Sequence, residues 1–530
     1  MPFNLITTPW LEIRRASGLR QVLRPAEITS DWDSDPVIAL DFPRPDWNAA
    51  LTEFLIGLLA LAMAPKDGDD WVEKFRTPPS TDELSSAFAP LAQWFELEGD
   101  GPAAFQDFVS LGNLEIKPLS GLLIDAPGEN TLKNNADLFV KRTGEPVLSL
   151  ANAAAALITL QTYAPSGGAG HRTSLRGGGP LTTLVAPVRR GQVVATLWDM
   201  VWANTPDANA DLSSDPSRAL PWLGPTLTSE AGRLPVTQEG QHPALAFFAC
   251  PRRIRLVFAG DGPDRVATGY RTQNYGADYL HWRHPLSPYR RDKASGLLPI
   301  HPNAGASDYG DWLAWWGFDG EPADCTILWK TRRSQLRGLL APVQQIQAFG
   351  YDMDNMKARQ WLEARLPWIS SNEAELASAV RQLISGSDLT ARAVRKYAKM
   401  ALYGQRNDSG YRLPEKLPLD ALPEPGERLW SETEPEFVAC LDQLIARLQD
   451  GADRTADLRQ NWLTTLRRKA LQIFDETVDL DGLTDAEPRR LLWSRDKLQF
   501  ELADHHKAPV LKALGLEASA KLRPLAGAET

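Results

Sequence analysis

Between positions 164 and 180 the chain reads Ala-Pro-Ser-Gly-Gly-Ala-Gly-His-Arg-Thr-Ser-Leu-Arg-Gly-Gly-Gly-Pro, with six glycines, one histidine and two arginines. Glycine has no side chain and tolerates positive φ, so backbone built from it can come very close to a ligand. Arg172 and Arg176 add positive charge, and guanidinium matches anionic oxygens well. The chemistry on offer is binding of an anion: a nucleotide, a protein or a nucleic acid. A second cluster, Thr268-Gly-Tyr-Arg-Thr-Gln-Asn-Tyr-Gly276, leads into His281-Trp-Arg-His-Pro-Leu-Ser-Pro-Tyr289. It mixes aromatics, amides and arginines, the types that contact phosphates and groove edges. A third, Phe349-Gly-Tyr-Asp-Met-Asp-Asn-Met-Lys-Ala-Arg359, reads on composition as a glycine-led turn into a helix, an ordinary connector.

Catalytic patterns are missing. A Walker-type phosphate loop needs a Gly-Lys-Ser/Thr ending that 164–180 lacks, and there is no dinucleotide fingerprint. His281 and His284 stand three apart, but Pro285 follows and no third ligand is near, so they read as a surface or core pair rather than zinc ligands. Asp504-His505-His506 suits charge at a helix C-terminus. Cys250, Cys325 and Cys440 show no metal-ligand or redox spacing, which predicts no metal, no cofactor and no disulfide framework, and fits a reducing cytosol. The enzyme reading that survives is a nucleotide-binding enzyme using the Gly/Arg loop for phosphate. A purely architectural subunit is the third.

The net charge is −10, yet residues 250–340 hold 13 Lys/Arg and 9 Asp/Glu, a local +4 against −14 elsewhere. Attraction to phosphate depends on a patch within about a Debye length, ~8–10 Å, so the acidic whole does not exclude nucleic acid. The longest apolar run, 54–64, is too short to span a bilayer and reads as a buried helix. The N-terminus carries no signal-like pattern, so the expected location is cytoplasmic.

At 530 residues the chain predicts two or more domains. Eighteen tryptophans favour large buried aromatic anchors. Residues 1–367 read as irregular mixed α/β, with strands at 37–40, 181–185, 193–197, 254–258 and 325–329. Helices are expected at 47–64, 81–96 and 151–162, and long loops at 206–225 and 299–306. From 368 to 530 the spacing of Leu376, Val380, Leu383 and Ile384, of Phe437, Leu441, Leu444, Ile445 and Leu448, and of Leu458, Trp462, Leu466 and Ile473 predicts three amphipathic helices. Thr484-Asp-Ala-Glu487-Pro488 opens a fourth, carrying Leu491, Leu492, Leu498 and Leu502. The expected class is α+β, an irregular N-terminal domain followed by a C-terminal four-helix bundle, with the loop 407–425 inside the bundle domain.

The three clusters, in this order, resemble the CasA family, the large subunits of the type I-E Cascade complex in CRISPR defence. Positions 164–180 with Thr182-Thr183 are similar to that family's glycine loop and its Leu-Arg-Gly-Gly continuation. Gly269-Tyr270 through His284-Pro285, with Ser287-Pro288, is similar to its central segment, and Gly350-Tyr351 to the start of its wedge region. The opening Asn4-Leu-Ile through Pro9-Trp10-Leu also fits, and the likeness covers essentially the whole length. It implies a non-catalytic subunit of an RNA-guided antiviral complex, working with guide RNA, other Cascade subunits and the Cascade-associated helicase-nuclease. Such a subunit reads the protospacer-adjacent motif (PAM) in double-stranded DNA, largely from the minor groove, and destabilises the duplex to start R-loop formation. Minor-groove edges are degenerate, so a reader there depends on close backbone approach.

On this resemblance Ser166, Gly167, Gly168 and Ala169, with Arg172, form the DNA-binding glycine loop. Asp354, Asn355 and Met356 form the wedge, with Asn355 as its polar tip where the best-known family pattern has glutamine. Arg271 and Asn274 stand where the family has a lysine. The loop 125–135 matches the family's mobile loop beside the guide RNA and its capping subunit. Arg392, Arg395, Lys396 and Lys399 share a helix face that reads first as solvated surface. In such an assembly it would contact the displaced strand or the duplex.

Overall fold

A computed structural model describes residues 2–137, 147–168, 170–207, 215–230, 232–293, 296–302, 309–316, 318, 320–336, 338–342, 344–354, 356–369, 374–408, 410–415, 425–449, 455–478, 488–503, 505 and 507–518. The chain forms two compact units. The first comprises Met1–Ala304 with Asp319–Trp368, and the second Gly305–Phe318 with Ile369–Thr530. The 305–318 segment is therefore lent by the first stretch of sequence to the second unit.

The first unit is mixed α/β. Its helix Pro45–Ala62 is apolar on nearly every side and buries Leu51, Phe54, Leu55, Ile56, Leu58 and Leu59. A helix without a polar face belongs inside. Leu150–Tyr163 packs beside it, and Ala153, Ala154, Ala155 and Ala156, which run right round its surface, are all fully buried. Around Phe54 gather Trp10, Phe95, Phe105 and Phe248, with ring centroids 6.0–6.4 Å away. The tryptophans do serve as buried anchors, Trp71, Trp198, Trp202, Trp222 and Trp329 among them.

Small antiparallel sheets surround these helices. Leu11–Arg15 lies between Arg20–Leu23 and Val37–Leu40, and Val266–Gln273 lies between Leu148–Ser149 and Arg253–Ala259. Tyr289–Asp292 pairs with Gly296–Pro299. The sheet that matters most for the site has Gln345–Asp354 in the middle. On one side Thr182–Ala186 pairs with it, from Phe349 opposite Thr182 to Gln345 opposite Ala186. On the other, Lys357–Pro367 folds back as a long hairpin.

Three local expectations are corrected. The stretch 349–359 is not a turn into a helix: it belongs to this hairpin, in which Tyr351 lies opposite Trp361 and Asp352 opposite Gln360, and the Arg359 side chain reaches back to the Asp352 carboxylate. Residues 325–329 lie in the helix Asp324–Arg332, where Cys325 and Trp329, four apart, are both buried while Ile327 is 48% exposed. A strand at 193–197 is also absent, since Val193 is 86% exposed and Thr196 caps the helix Leu197–Ala203 by accepting from the Asp199 amide. Part of 206–225 forms short helical turns at Pro216–Arg218 and Pro221–Leu223. Residues 208–214 and 303–306 of the expected long loops lie outside the described residues.

The second unit is helical. Its long helix Ala374–Tyr403 carries both the apolar positions 376–384 and the basic stripe 392–399. It contacts Pro425–Gln449, Ala456–Thr477 and Pro488–Glu501. Trp462 donates its indole N–H to the Leu383 carbonyl (3.3 Å) and Ser387 Oγ (3.2 Å). Tyr309 stacks on Phe437 with centroids 4.0 Å apart, and its hydroxyl meets Thr433 Oγ1 at 2.8 Å. The last main helix begins at Pro488; the expected capping residues Thr484–Glu487 lie outside the described residues, as do Asp504, His506 and 416–424. Among the described residues no helix is long and apolar enough to cross a membrane.

Candidate functional site

The glycine loop divides at about residue 170. Its second half is bolted down. Arg176 is buried and donates Nη2 to Glu53 Oε2 (2.7 Å) and Nη1 to Thr182 Oγ1 (2.8 Å) and Ser287 Oγ (3.0 Å). Tyr163 and Thr182 donate to Glu53 Oε1 at 2.6 and 2.7 Å. The Arg176 pKa is raised in spite of burial, because Glu53 holds the cation charged. Burial pushes Tyr163 well above its ordinary value, and pushes the nearby His284 ring well below, so that ring is neutral. Arg176 is thus an internal counter-ion, which corrects its reading as a ligand-binding guanidinium.

Further along, Gly179 has φ +63° and donates its amide to the Tyr163 carbonyl at 2.8 Å. A Cβ there would lie 2.6 Å from Tyr351 Cβ and 3.0 Å from Met353 Cε, and one on Gly350 would meet the Pro180 carbonyl at 2.6 Å. The loop therefore lies flush on the hairpin just below its tip, with no room for a methyl group.

The first half is open. Ser166 and Gly168 are exposed, and a Cβ on Gly168 would meet nothing within 4 Å. Gly167 is closer packed, its amide bonded to the His171 carbonyl at 2.9 Å and a Cβ 2.8 Å from His171 Cβ. Ala169 lies outside the described residues. Arg252 braces the turn by donating to the Pro165 carbonyl, and burial lowers its pKa to about 10. Arg172 donates Nε to Ser229 Oγ at 2.7 Å and lies 3.8 Å from Asp278, so it is half-engaged but remains at the surface.

The central segment reaches the same loop. The Gly276 amide donates to the Gly170 carbonyl at 3.3 Å, and a Cβ on Gly170 would lie 2.9 Å from the Tyr275 nitrogen. Arg271 spends its Nε on the Leu114 carbonyl (3.1 Å), whereas Asn274 is exposed. The three clusters singled out in the sequence are thus contiguous in the first unit.

At the hairpin end the register shifts between Asp352 and Met353, a bulge that re-aims the tip. Asp354 is exposed and Met356 is 54% exposed; Asn355 lies outside the described residues. Below the tip, Asp352 is buried and accepts from Arg359 Nε (2.6 Å) and Nη2 (2.8 Å). Tyr351 donates to Asp46 Oδ2 at 2.7 Å, and Arg44 joins Asp46 to Asp125 at 2.8 Å in the loop before the short helix Glu129–Lys133.

In the second unit, Arg392 pairs with Asp388 (2.9 Å) and Lys396 with Glu501 (3.1 Å), while Arg395 is exposed and Lys399 half-buried. Sequence reasoning missed Glu53 and Arg252. Glu53 had a signal, since a carboxylate inside an apolar helix must find a partner. Among the described residues no group of three or more His, Cys, Asp or Glu could hold a metal ion. Burial raises the thiols of Cys250 and Cys325, which makes them poor nucleophiles.

A family model described as CRISPR-associated protein Cse1 matches residues 4–473. Among solved structures, CasA of Thermus thermophilus is similar at a TM-score of 0.70 and 19% identity, covering 94% of this chain and 99% of its own. Cse1 of Acidimicrobium ferrooxidans has a TM-score of 0.69 at 16% identity, covering 98% and 99%. A chain of a CRISPR RNA-guided surveillance complex has a TM-score of 0.68 at 17% identity, covering 94% and 99%. At such identities the likeness concerns the fold.

Proposed function

Because the chain belongs to the CRISPR-associated Cse1 family, we propose that it is the large, non-catalytic subunit of an RNA-guided antiviral complex in the cytoplasm. It assembles with guide RNA and companion subunits, as the similar chain of the surveillance complex does. In this reading residues 1–367 are the DNA-recognition domain, and residues 368–530 close the chain as a helical bundle. The turn 166–169, with Arg172, enters the minor groove of duplex DNA beside the target and reads the adjacent motif. Arg271 and Asn274 flank it, and the tip Asp354–Asn355–Met356 separates the first base pairs. Guide pairing then reads the sequence, as in other guided effectors. The assembled complex recruits the helicase-nuclease, and the face with Arg392, Arg395, Lys396 and Lys399 holds DNA phosphates.

The observation that carries the reading is the contact between loop and hairpin at Gly179, Tyr351 and Met353. It seats the loop that carries the exposed Ser166 and Gly168 on the strand that leads to the exposed Asp354 and Met356. Close approach and prying are the two demands of minor-groove recognition followed by strand opening.

Gly168→Trp in the assembled complex provides the test. A Cβ at this exposed position meets nothing within 4 Å, so the expected outcome is unchanged assembly. Motif-dependent binding in a gel shift with motif-bearing and motif-free duplexes is lost. Unchanged binding to the motif-bearing duplex would refute the glycine-loop role.

A further inference from the structure

Tyr275 stands out beside the glycine loop. It is a bulky residue at φ +60°, in the left-handed region that tyrosine rarely adopts. The strain is imposed from both sides. The next residue, Gly276, passes so close over the Pro251 carbonyl that a Cβ there would clash with it. The Gly276 amide is also held by the Gly170 carbonyl at 3.3 Å, and the Ser229 amide donates to the Gly276 carbonyl at 3.1 Å and to the Tyr275 carbonyl at 3.4 Å.

Burial does not compensate for this strain, because Tyr275 is 47% exposed. Its ring edge comes within 3.1 Å of where a Gly170 Cβ would stand, so the ring rests on the glycine loop. Among the described residues no ring stacks on it and nothing bonds its hydroxyl. Strained, solvent-facing residues of this kind cluster at ligand sites.

The geometry points to Tyr275 as a base-stacking residue, a second DNA contact that acts beside the glycine turn. The inference rests on the duplex-binding reading above. An aromatic plane stacks on any base through its π face, and it needs no hydrogen-bond match. Its neighbours suit that role, since Asn274 is exposed at the preceding position and Arg172 is tied to the same Ser229 that holds the Tyr275 carbonyl. The ring takes up the base exposed when the first pair beside the motif opens, and so stabilises the open state that the hairpin tip creates.

The strain supplies an unusual control. Tyr275→Gly removes the ring and relieves the backbone, whereas Tyr275→Ala removes the ring and keeps the strain. In the assembled complex, a matched duplex carrying 2-aminopurine at the pair beside the motif reports opening by fluorescence. Both variants lower affinity for the open duplex roughly five- to hundredfold, the range expected for losing one base–aromatic stack. Tyr275→Phe rescues opening, and Tyr275→Gly melts at or above the wild-type temperature. Opening by Tyr275→Gly equal to wild type would overturn the inference, and so would a lower melting temperature, which would make the ring a packing element. If Gly168→Trp abolishes binding while every Tyr275 variant opens DNA normally, only the stacking role fails. If all of them bind and open normally, the duplex reading fails with it.

Discussion

At Gly179 a methyl group would sit 2.6 Å from Tyr351, whereas at Gly168, eleven residues earlier in the same loop, it would meet nothing within 4 Å. Glycine serves packing at one end and access at the other. The arginines divide in the same way, with Arg176 neutralising a carboxylate in the interior while Arg172 stays at the surface. A glycine-rich stretch with two arginines therefore does not define a binding loop throughout. Half of it is foundation, and only the part that the foundation leaves uncovered is free to meet a ligand.

The sharpest way to break that division is to attack the foundation. Arg176→Leu leaves Glu53 buried without its counter-ion and lowers stability by about 3–5 kcal/mol, read by denaturant unfolding. Adding Glu53→Gln to that variant recovers part of the loss. A single variant as stable as wild type would make the buried pair irrelevant to the loop. Next comes Gly179→Ala, which meets both a positive φ and the hairpin and costs about 1–3 kcal/mol in the same assay. At the open end, Gly168→Leu changes stability by no more than about 0.5 kcal/mol, although it fills the space proposed for DNA. Equal losses at 168 and 179 would erase the contrast. The smallest effect is expected outside the loop: Arg395→Ala and Lys399→Ala each lower the slope of log affinity against log salt by about 1, equally for motif-bearing and motif-free duplexes.

What the sequence disclosed follows the same line between local and distant causes. The helix expected at 47–64 and found at Pro45–Ala62 was legible because an apolar run has one sensible home, and the strand expected at 181–185 and found at Thr182–Ala186 because β-branched residues follow a glycine turn. The hairpin 345–367 was hidden because the ion pair near its tip, Asp352 with Arg359, is seven residues apart and takes its meaning from the strand pairing around it. The role of Arg176 was equally hidden, since its partner Glu53 lies 123 positions away. Nothing in the spacing of the three clusters requires the adjacency that Gly170, Gly179 and Gly276 give them. Composition marked the cluster that holds Tyr275 but not its left-handed backbone, which accompanies the crossing of Gly276 over Pro251.

The strand Thr182–Ala186 has its ladder partner at Gln345–Phe349, about 160 residues downstream. At a synthesis rate of about 5–20 residues per second, the nascent chain carries that strand unmated for roughly 10–30 s. Through that interval an apolar ribbon with open backbone groups is available to any other strand edge. Production of this protein is thus a race between elongation and mispairing, and slower growth temperatures or a holding chaperone bear first on these five residues.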